Sequence, residues 1–125
     1  MSKVAIVTGG TKGIGLAVVK RFIERGFTVH NLDIEPSEFG EFHQCDVSNV
    51  SAVQTCINTI CQQNPTIDIL VSNAGKHVSA NIESTDEETL DALFALNVKG
   101  AYAAVQSILP SMKAQNSGAI ILVAS

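Results

Sequence analysis

The chain has 125 residues, of which 46% are hydrophobic and 16% charged, and its net charge is −4. These values fit a single domain with its own core, and the scattered basic residues argue against nucleic acid as a partner. No signal peptide is recognisable, and no stretch approaches the ~20 apolar residues of a membrane helix, so we expect no membrane partner.

The first predicted elements are a buried strand, Val4 to Val7, a glycine-rich turn, and a helix that closes at Gly26. The turn reads Thr-Gly-Gly-Thr-Lys-Gly-Ile-Gly over residues 8–15. Glycine lets a backbone approach phosphate closely, and the start of a helix attracts anions. The order predicts a site for a dinucleotide's pyrophosphate, with these candidate residues: Gly9, Thr11, Lys12, Gly13, Ile14 and Gly15.

A second predicted strand, Phe27 to Leu32, delivers Asp33 about twenty residues after the glycines. A carboxylate at this position can accept hydrogen bonds from the adenosine ribose and repel a 2′-phosphate. Lys12 argues the other way, since a cation favours a phosphate, and Asp33 could instead be a solvated turn residue. Because Asp33 lies where the ribose edge should be, we predict NAD as the cofactor, with NADP less likely.

Strands and helices continue to alternate. We predict a third strand near Glu41 to Cys45, a helix from Asn49 to Cys61 and a fourth strand from Ile67 to Val71. The last of these enters the turn 73–75, Asn-Ala-Gly. An aspartate, Asp46, follows the third strand directly, at a position equivalent to that of Asp33.

A long helix and a fifth strand complete the pattern. The helix is expected to start at a capping box, Ser84-x-x-Glu87, and the strand at Ala119 after a loop from Pro110 to Gly118. Apolar residues from Leu93 to Val105 cover more than one face of the helix. Two interpretations remain open: an interface in a homo-oligomer, or a core that lies entirely within the chain.

The alternation predicts an α/β fold, a Rossmann-like doubly wound parallel sheet truncated after the fifth strand. We therefore expect residues 1–125 to form an incomplete NAD-binding domain. In such sheets ligands lie beyond the carboxyl ends of the strands. The residues expected to meet at that rim are Gly9, Asp33, Asp46, Asn73 and Ser125.

Three segments resemble cofactor-binding motifs of the short-chain dehydrogenase/reductase family. Residues 8–15 are similar to its Thr-Gly-x-x-x-Gly-x-Gly motif. Asp46-Val47 resembles its Asp-Val element, whose aspartate holds the adenine. Residues 72–75 resemble Asn-Asn-Ala-Gly, with serine in place of the first asparagine. The resemblance implies cofactor binding by Asp46, Val47, Asn73, Ala74 and Gly75, although a helix-capping aspartate and a plain Asn-Gly turn are alternatives.

Two further positions resemble catalytic residues of the family. Asn97 matches the asparagine in its long helix, and residues 118–125 resemble the strand that ends at its catalytic serine, here Ser125. The resemblance implies that Ser125 hydrogen-bonds the substrate oxygen and that Asn97 holds a water in a proton relay. A solvated helix residue and a strand-end serine are the alternatives.

The family's Tyr-x-x-x-Lys is absent from the sequence, since its only tyrosine, Tyr102, has Gln106 four residues later. The resemblance implies the N-terminal part of an NAD-dependent oxidoreductase that transfers hydride between nicotinamide and a secondary alcohol or ketone. We expect the 125-residue chain alone to be inactive. A non-catalytic NAD-binding module and a nonfunctional truncation product are the alternatives.

The remaining candidate residues carry no predicted chemistry. Three cysteines, without metal-ligand spacing, indicate reduced thiols in a cytoplasmic protein, and no metal site is predicted. His30 is expected to be structural, and His77 to border the substrate cleft.

Overall fold

A computed structural model describes residues 2–124. Within them five strands form one parallel sheet: β1 (Val4–Thr8), β2 (Thr28–Asp33), β3 (Glu41–Gln44), β4 (Ile69–Ser72) and β5 (Ala119–Leu122). Their order across the sheet is β3-β2-β1-β4-β5, which confirms the predicted doubly wound α/β fold.

The helices of the described chain lie between these strands in sequence. Their bounds are α1 (Gly13–Glu24), α2 (Val50–Gln63), α3 (Glu87–Phe94) and α4 (Gly100–Gln115), with a 3₁₀ turn at Ile82–Ser84. A π-helical segment, Ala95–Lys99, joins α3 to α4 without a break.

The three central strands, β1, β2 and β4, are buried on both faces, as expected for parallel strands with helices on either side, whereas β5 at one edge is largely exposed. On one face Ile6, Leu32 and Leu70 pack with α2 and α4. On the other, the neighbouring positions Val7 and Val29 pack with α1. Successive side chains of a strand point to opposite faces of the sheet. A single run of hydrophobic residues therefore contributes to both apolar layers.

The register aligns the strand ends that position the site. Thr8, at the end of β1, is paired with Leu32 on one side and with Ser72 on the other. The loops after β1, β2 and β4 therefore leave the sheet at the same rim, which is the arrangement predicted from the sequence.

The long helix differs from the prediction at both ends. Asp86 caps α3 and its carboxylate accepts from Thr89 N at 2.8 Å, so the predicted box from Ser84 to Glu87 is wrong. Pro110 lies inside α4 rather than starting a loop. Burial of Ile108 and of Met112, on the two sides of the proline, offsets the hydrogen bond that proline cannot make.

Taken as one unit, residues 87–115 form a 29-residue helix with a window of mean hydropathy 1.3, and 22% of that window is buried. By length and composition this helix could cross a membrane, contrary to our expectation that no stretch would. Core helices of soluble proteins meet the same criterion, and Ala103, Ala104 and Ile108 are buried against the rest of the chain.

Two histidines meet where β2 runs beside β3. His30 Nδ1 lies 2.9 Å from His43 Nε2 and 3.2 Å from Glu41 Oε2, and the His30 side chain is almost fully buried. Burial lowers the pKa of both imidazoles, and the Glu41 carboxylate opposes that shift.

The three cysteines, Cys45, Cys56 and Cys61, are free thiols in the described structure. Cys45 is buried, and its contact with Cys56, together with burial, raises the pKa of the Cys45 thiol.

Candidate nucleotide-binding site

A cleft of about 540 Å³ opens at the rim where the carboxyl ends of β1, β2 and β4 meet. β1 and β4 are neighbours in the sheet although they are not consecutive in sequence, which makes this the point where strand order reverses. The predicted residues that line the cleft are Gly9, Lys12, Asp33, Asp46, Val47, Asn73, Ala74 and Gly75.

The turn after β1 takes a shape that side chains would obstruct. Gly9 has a φ of 68°, and a Cβ there would lie 2.8 Å from Ala74 Cα. A Cβ on Gly15 would overlap the carbonyl of Gly9 and the amide of Asn73. Gly13 also has a positive φ, of 55°, but the space beside it is open. The turn packs tightly against the protein at Gly9 and Gly15, whereas the side of the turn at Gly13 faces open space. That open space leaves room for a phosphate.

The first turn of α1 has backbone donors available to a ligand. Within the described chain Lys12, the N-cap, makes no side-chain capping bond, and the first turn contains no acidic residue. The amides at the start of a helix lack internal partners and carry a partial positive charge. Ile14 in this turn is 66% exposed, so an apolar surface lies next to the open donors.

Asn31, which was not predicted as a site residue, holds the glycine-rich turn after β1 through two side-chain hydrogen bonds. Its Oδ1 accepts from Gly10 N at 2.8 Å, and its Nδ2 donates to Thr11 Oγ1 at 3.1 Å. The residue is fully buried in β2. A buried amide must find partners, but those of Asn31 lie 20 and 21 positions away in the chain, so the sequence around it carried no local signal for this role.

Thr8 connects β1 to the turn after β4 and was also missed. Its Oγ1 accepts from Asn73 N and from Ala74 N, each at 3.0 Å. In return Asn73 Nδ2 donates to Gly9 O at 2.9 Å. Asn73 therefore braces the two strand ends, and the hydroxyl of Thr8 does the same from inside the sheet.

Asp33 is held at the end of β2 by backbone donors. Its two carboxylate oxygens accept from Thr11 N and from Glu35 N, both at 3.1 Å. A carboxylate has about four acceptor positions, so each oxygen keeps one for a further donor.

Lys12 is paired with Glu35, another residue that lines the cleft and that sequence analysis missed. Lys12 Nζ lies 2.7 Å from Glu35 Oε2, and the hydrogen bond to Glu35 raises the pKa of Lys12. Thr11 Oγ1 also donates to the Glu35 carbonyl, at 2.8 Å. The Lys12 ammonium group is thus paired with the Glu35 carboxylate, two residues after Asp33 in the chain.

Asp46 and Val47 form the floor of the cleft beyond β3. Asp46 Oδ1 accepts from Ser48 N at 3.0 Å and from Ser48 Oγ at 2.6 Å. Val47 is buried under the start of α4, where a Cβ on Gly100 would lie 2.7 Å from the Val47 carbonyl oxygen. This close approach fixes the loop that carries Asp46 relative to the long helix.

Asn97 lies in the π-helical segment and is bonded to the loop after β4. Its Oδ1 accepts from Lys76 N and its Nδ2 donates to Lys76 O, both at 2.8 Å. Short π-helical segments often occur at functional sites. Asn97 thus holds the backbone next to Gly75, a lining residue of the cleft, while Ser125, the other predicted catalytic residue, lies outside the described residues.

A parallel doubly wound sheet, with a glycine-rich turn at its switch point and two acidic residues lining the same cleft, defines a Rossmann-like domain of the dinucleotide-binding type. Residues 3–125 match the family described as short chain dehydrogenase. The chain belongs to the short-chain dehydrogenase/reductase family, as its motifs indicated.

One curated relative illustrates the sequence similarity. The chain is 35% identical over 144 aligned residues to 2-(R)-hydroxypropyl-CoM dehydrogenase from Xanthobacter autotrophicus. The alignment covers 100% of this chain and 57% of that protein. The chain thus spans little more than half the length of this relative.

Two solved structures show the same fold. Aldohexose dehydrogenase from Thermoplasma acidophilum, in ligand-free form, superposes with a TM-score of 0.94 at 32% identity, covering 99% of this chain and 49% of that one. ElxO with NADP bound superposes with a TM-score of 0.92 at 27% identity, covering 100% of this chain and 56% of that one.

Proposed function

We propose that this chain is the cofactor-binding part of an oxidoreductase that uses a nicotinamide dinucleotide. The observation that carries the proposal is the uncapped start of α1 at the open side of the glycine turn. Because unpaired amides and a positive helix end favour an anion, the pyrophosphate would bind there.

The remaining residues fit the two ends of such a cofactor. Asp33, with a free acceptor position on each oxygen, would accept from the adenosine ribose, and Asp46 would bind the adenine. Gly75 and Ala74 would let the backbone pass close to the nicotinamide side. Bound nicotinamide supplies or accepts a hydride, and the protein orients it.

We further propose NAD over NADP, although a relative of known structure, ElxO, was solved with NADP. The cleft has two carboxylates at the ribose end, Asp33 and Glu35, and Glu35 engages the only lysine of the turn. A 2′-phosphate would meet both negative charges, while the cation that favours it is already paired.

The cofactor preference can be tested by replacing these carboxylates. Asp33→Asn should improve NADP⁺ binding about tenfold, because a like charge next to the 2′-phosphate is removed. Glu35→Gln should improve NADP⁺ binding a few-fold and leave NAD⁺ binding nearly unchanged, because Lys12 is released. Isothermal titration with both nucleotides measures the effect.

Glu38→Gln is the matched control, because it removes an exposed charge from the same loop outside the residues that line the cleft. Equal changes in all three variants would show that only net charge matters. Tighter binding of NADP⁺ than of NAD⁺ by the unaltered protein would contradict the proposed preference.

For the whole protein we propose hydride transfer between nicotinamide and a secondary alcohol or ketone, with Ser125 as donor to the substrate oxygen. The family resemblance implies that Asn97 holds a relay water, and its side-chain bonds to the Lys76 backbone would position the loop after β4. Within the printed sequence no Tyr-x-x-x-Lys occurs, so a second candidate is nucleotide binding without turnover. The assay that separates the two is oxidation of secondary alcohols by the whole protein, because NADH formation supports hydride transfer and NAD⁺ binding without NADH formation supports the second candidate.

We also propose that the protein self-associates through the long helix. Leu90, Phe94, Val98 and Tyr102 recur every four residues, and all are about half exposed or more. Such spacing places them on one helix face, and a continuous apolar stripe in solvent favours pairing. Val98→Asp should shift the mass measured by light scattering toward the monomer, while the exposed Lys99→Asp, off the stripe, should not.

A further inference from the structure

The histidine pair on the sheet lies apart from the cleft. In the parallel register His30 faces Glu41, and Leu32 faces His43. Because residues two apart on a strand point to the same side, the His30, Glu41 and His43 side chains share one face of the sheet. They lie toward the start and middle of β2 and β3, whereas the nucleotide residues follow the ends of these strands.

The potential ligand atoms of this triad converge. His30 Nδ1 lies 2.9 Å from His43 Nε2 and 3.2 Å from Glu41 Oε2, and all three atoms are within 4.8 Å of one another. Ligands bound to zinc at 2.0–2.1 Å in a tetrahedron are separated by roughly 3.3–3.5 Å. Small side-chain adjustments would therefore place the three atoms around one ion.

Within the described chain, only one of the two nitrogens of the buried His30 ring has polar contacts. Its Nε2 is buried and has no hydrogen-bond partner among the described residues, and the side chain is 2% exposed. In an imidazole whose Nε2 has no partner, the polar contacts of the ring are left to Nδ1. For His30 the interactions that hold the ring are all at Nδ1, where the triad converges.

The triad is accessible to an ion from solvent, and its ligand atoms favour one class of metal. Glu41 is exposed, and β3 is the edge strand of the described sheet, so solvent reaches the triad from the side. Two imidazoles and one carboxylate are a ligand set typical of zinc and similar transition metals, and a water can complete the tetrahedron.

We propose that His30, Glu41 and His43 form a binding site for one divalent transition-metal ion of the zinc type, distinct from the nucleotide cleft. The ion links the edge strand β3 to β2, the two strands that lead to Asp46 and Asp33. The proposal departs from our expectation that the chain carries no metal site, and titration with Zn²⁺ decides between the two.

Metal-free purified protein should bind one Zn²⁺ per chain in isothermal titration, and Zn²⁺ should raise its melting temperature. His43→Ala should weaken Zn²⁺ binding at least tenfold and Glu41→Gln several-fold, because each removes one of three ligands. His43 is half-buried rather than fully buried, so His43→Ala should fold, which circular dichroism verifies. His77→Ala, which removes a histidine outside the triad, should bind Zn²⁺ like the unaltered protein.

Co²⁺ as a probe separates this site from the cysteines. Visible d–d bands of four-coordinate Co²⁺ that disappear in His43→Ala support the proposal. An intense near-ultraviolet thiolate-to-cobalt band would place the ion on cysteine and overturn it. Failure to saturate at one ion per chain, or unchanged Zn²⁺ affinity in His43→Ala, would overturn it as well.

Discussion

Replacing Thr8 with valine is expected to lower the free energy of unfolding by about 2–3 kcal/mol. Valine keeps the shape but removes the oxygen that accepts from Asn73 N and Ala74 N at 3.0 Å. The change leaves both amides without their acceptor beside a fully buried side chain. Urea unfolding monitored by circular dichroism measures the loss.

Two control variants separate the hydrogen bonds from other effects. Thr8→Ser keeps the hydroxyl and should lose about 1 kcal/mol or less, the value of one buried methyl group. Thr28→Val, at the start of β2, makes the same chemical change where the side chain has no hydrogen bond within the described residues, and it should be nearly neutral. Equal losses in Thr8→Val and Thr28→Val would contradict the role of the Thr8 hydroxyl.

Replacing Gly13 with aspartate is expected to weaken NAD⁺ binding about thirtyfold, or about 2 kcal/mol. The space beside Gly13 is open, so the carboxylate fits, but it projects at the start of α1 where the pyrophosphate would bind. Solvent at this exposed turn screens the repulsion between the carboxylate and the pyrophosphate, which limits the loss to about this size. Isothermal titration with NAD⁺ gives the affinity.

Gly26 provides a matched control, because its φ is 85° and the space beside it is also open. Gly26→Asp should therefore carry a similar backbone strain without changing NAD⁺ affinity. Gly13→Asn keeps the strain at the turn without the charge and should lose much less affinity than Gly13→Asp. If Gly13→Asp bound NAD⁺ as well as the unaltered protein does, the pyrophosphate would not lie at this turn.

The sequence predicted the strands and their convergence well, because buried parallel strands are short apolar runs followed by glycine or acidic residues. Asp33 could be selected from its position at a strand end about twenty residues after the glycines, and Asp46 from its resemblance to the family's Asp-Val element. Thr8 and Asn31 could not, since their roles depend on hydrogen bonds to residues more than 20 positions away in the chain. Only the paired strands bring those groups together.

The helical region was harder to predict. Pro110 favours a helix end by its local chemistry, yet burial on both sides of it maintains α4. The pairing of Lys12 with Glu35 is likewise a contact across the cleft, which the separate motifs do not reveal. The triad of His30, Glu41 and His43 depends on the register of β2 against β3, and periodicity alone does not fix that register.

The most direct test of nucleotide binding is an NMR titration of the ¹⁵N-labelled protein with NAD⁺, residue by residue. We predict that the largest amide shifts fall on residues 12–15, with further shifts at Asp33, Val47 and Gly75. The amide of Gly26, at the far end of α1, should change little. Saturation with NAD⁺ that leaves residues 12–15 unperturbed, or no saturable shift at any concentration, would contradict the proposed site.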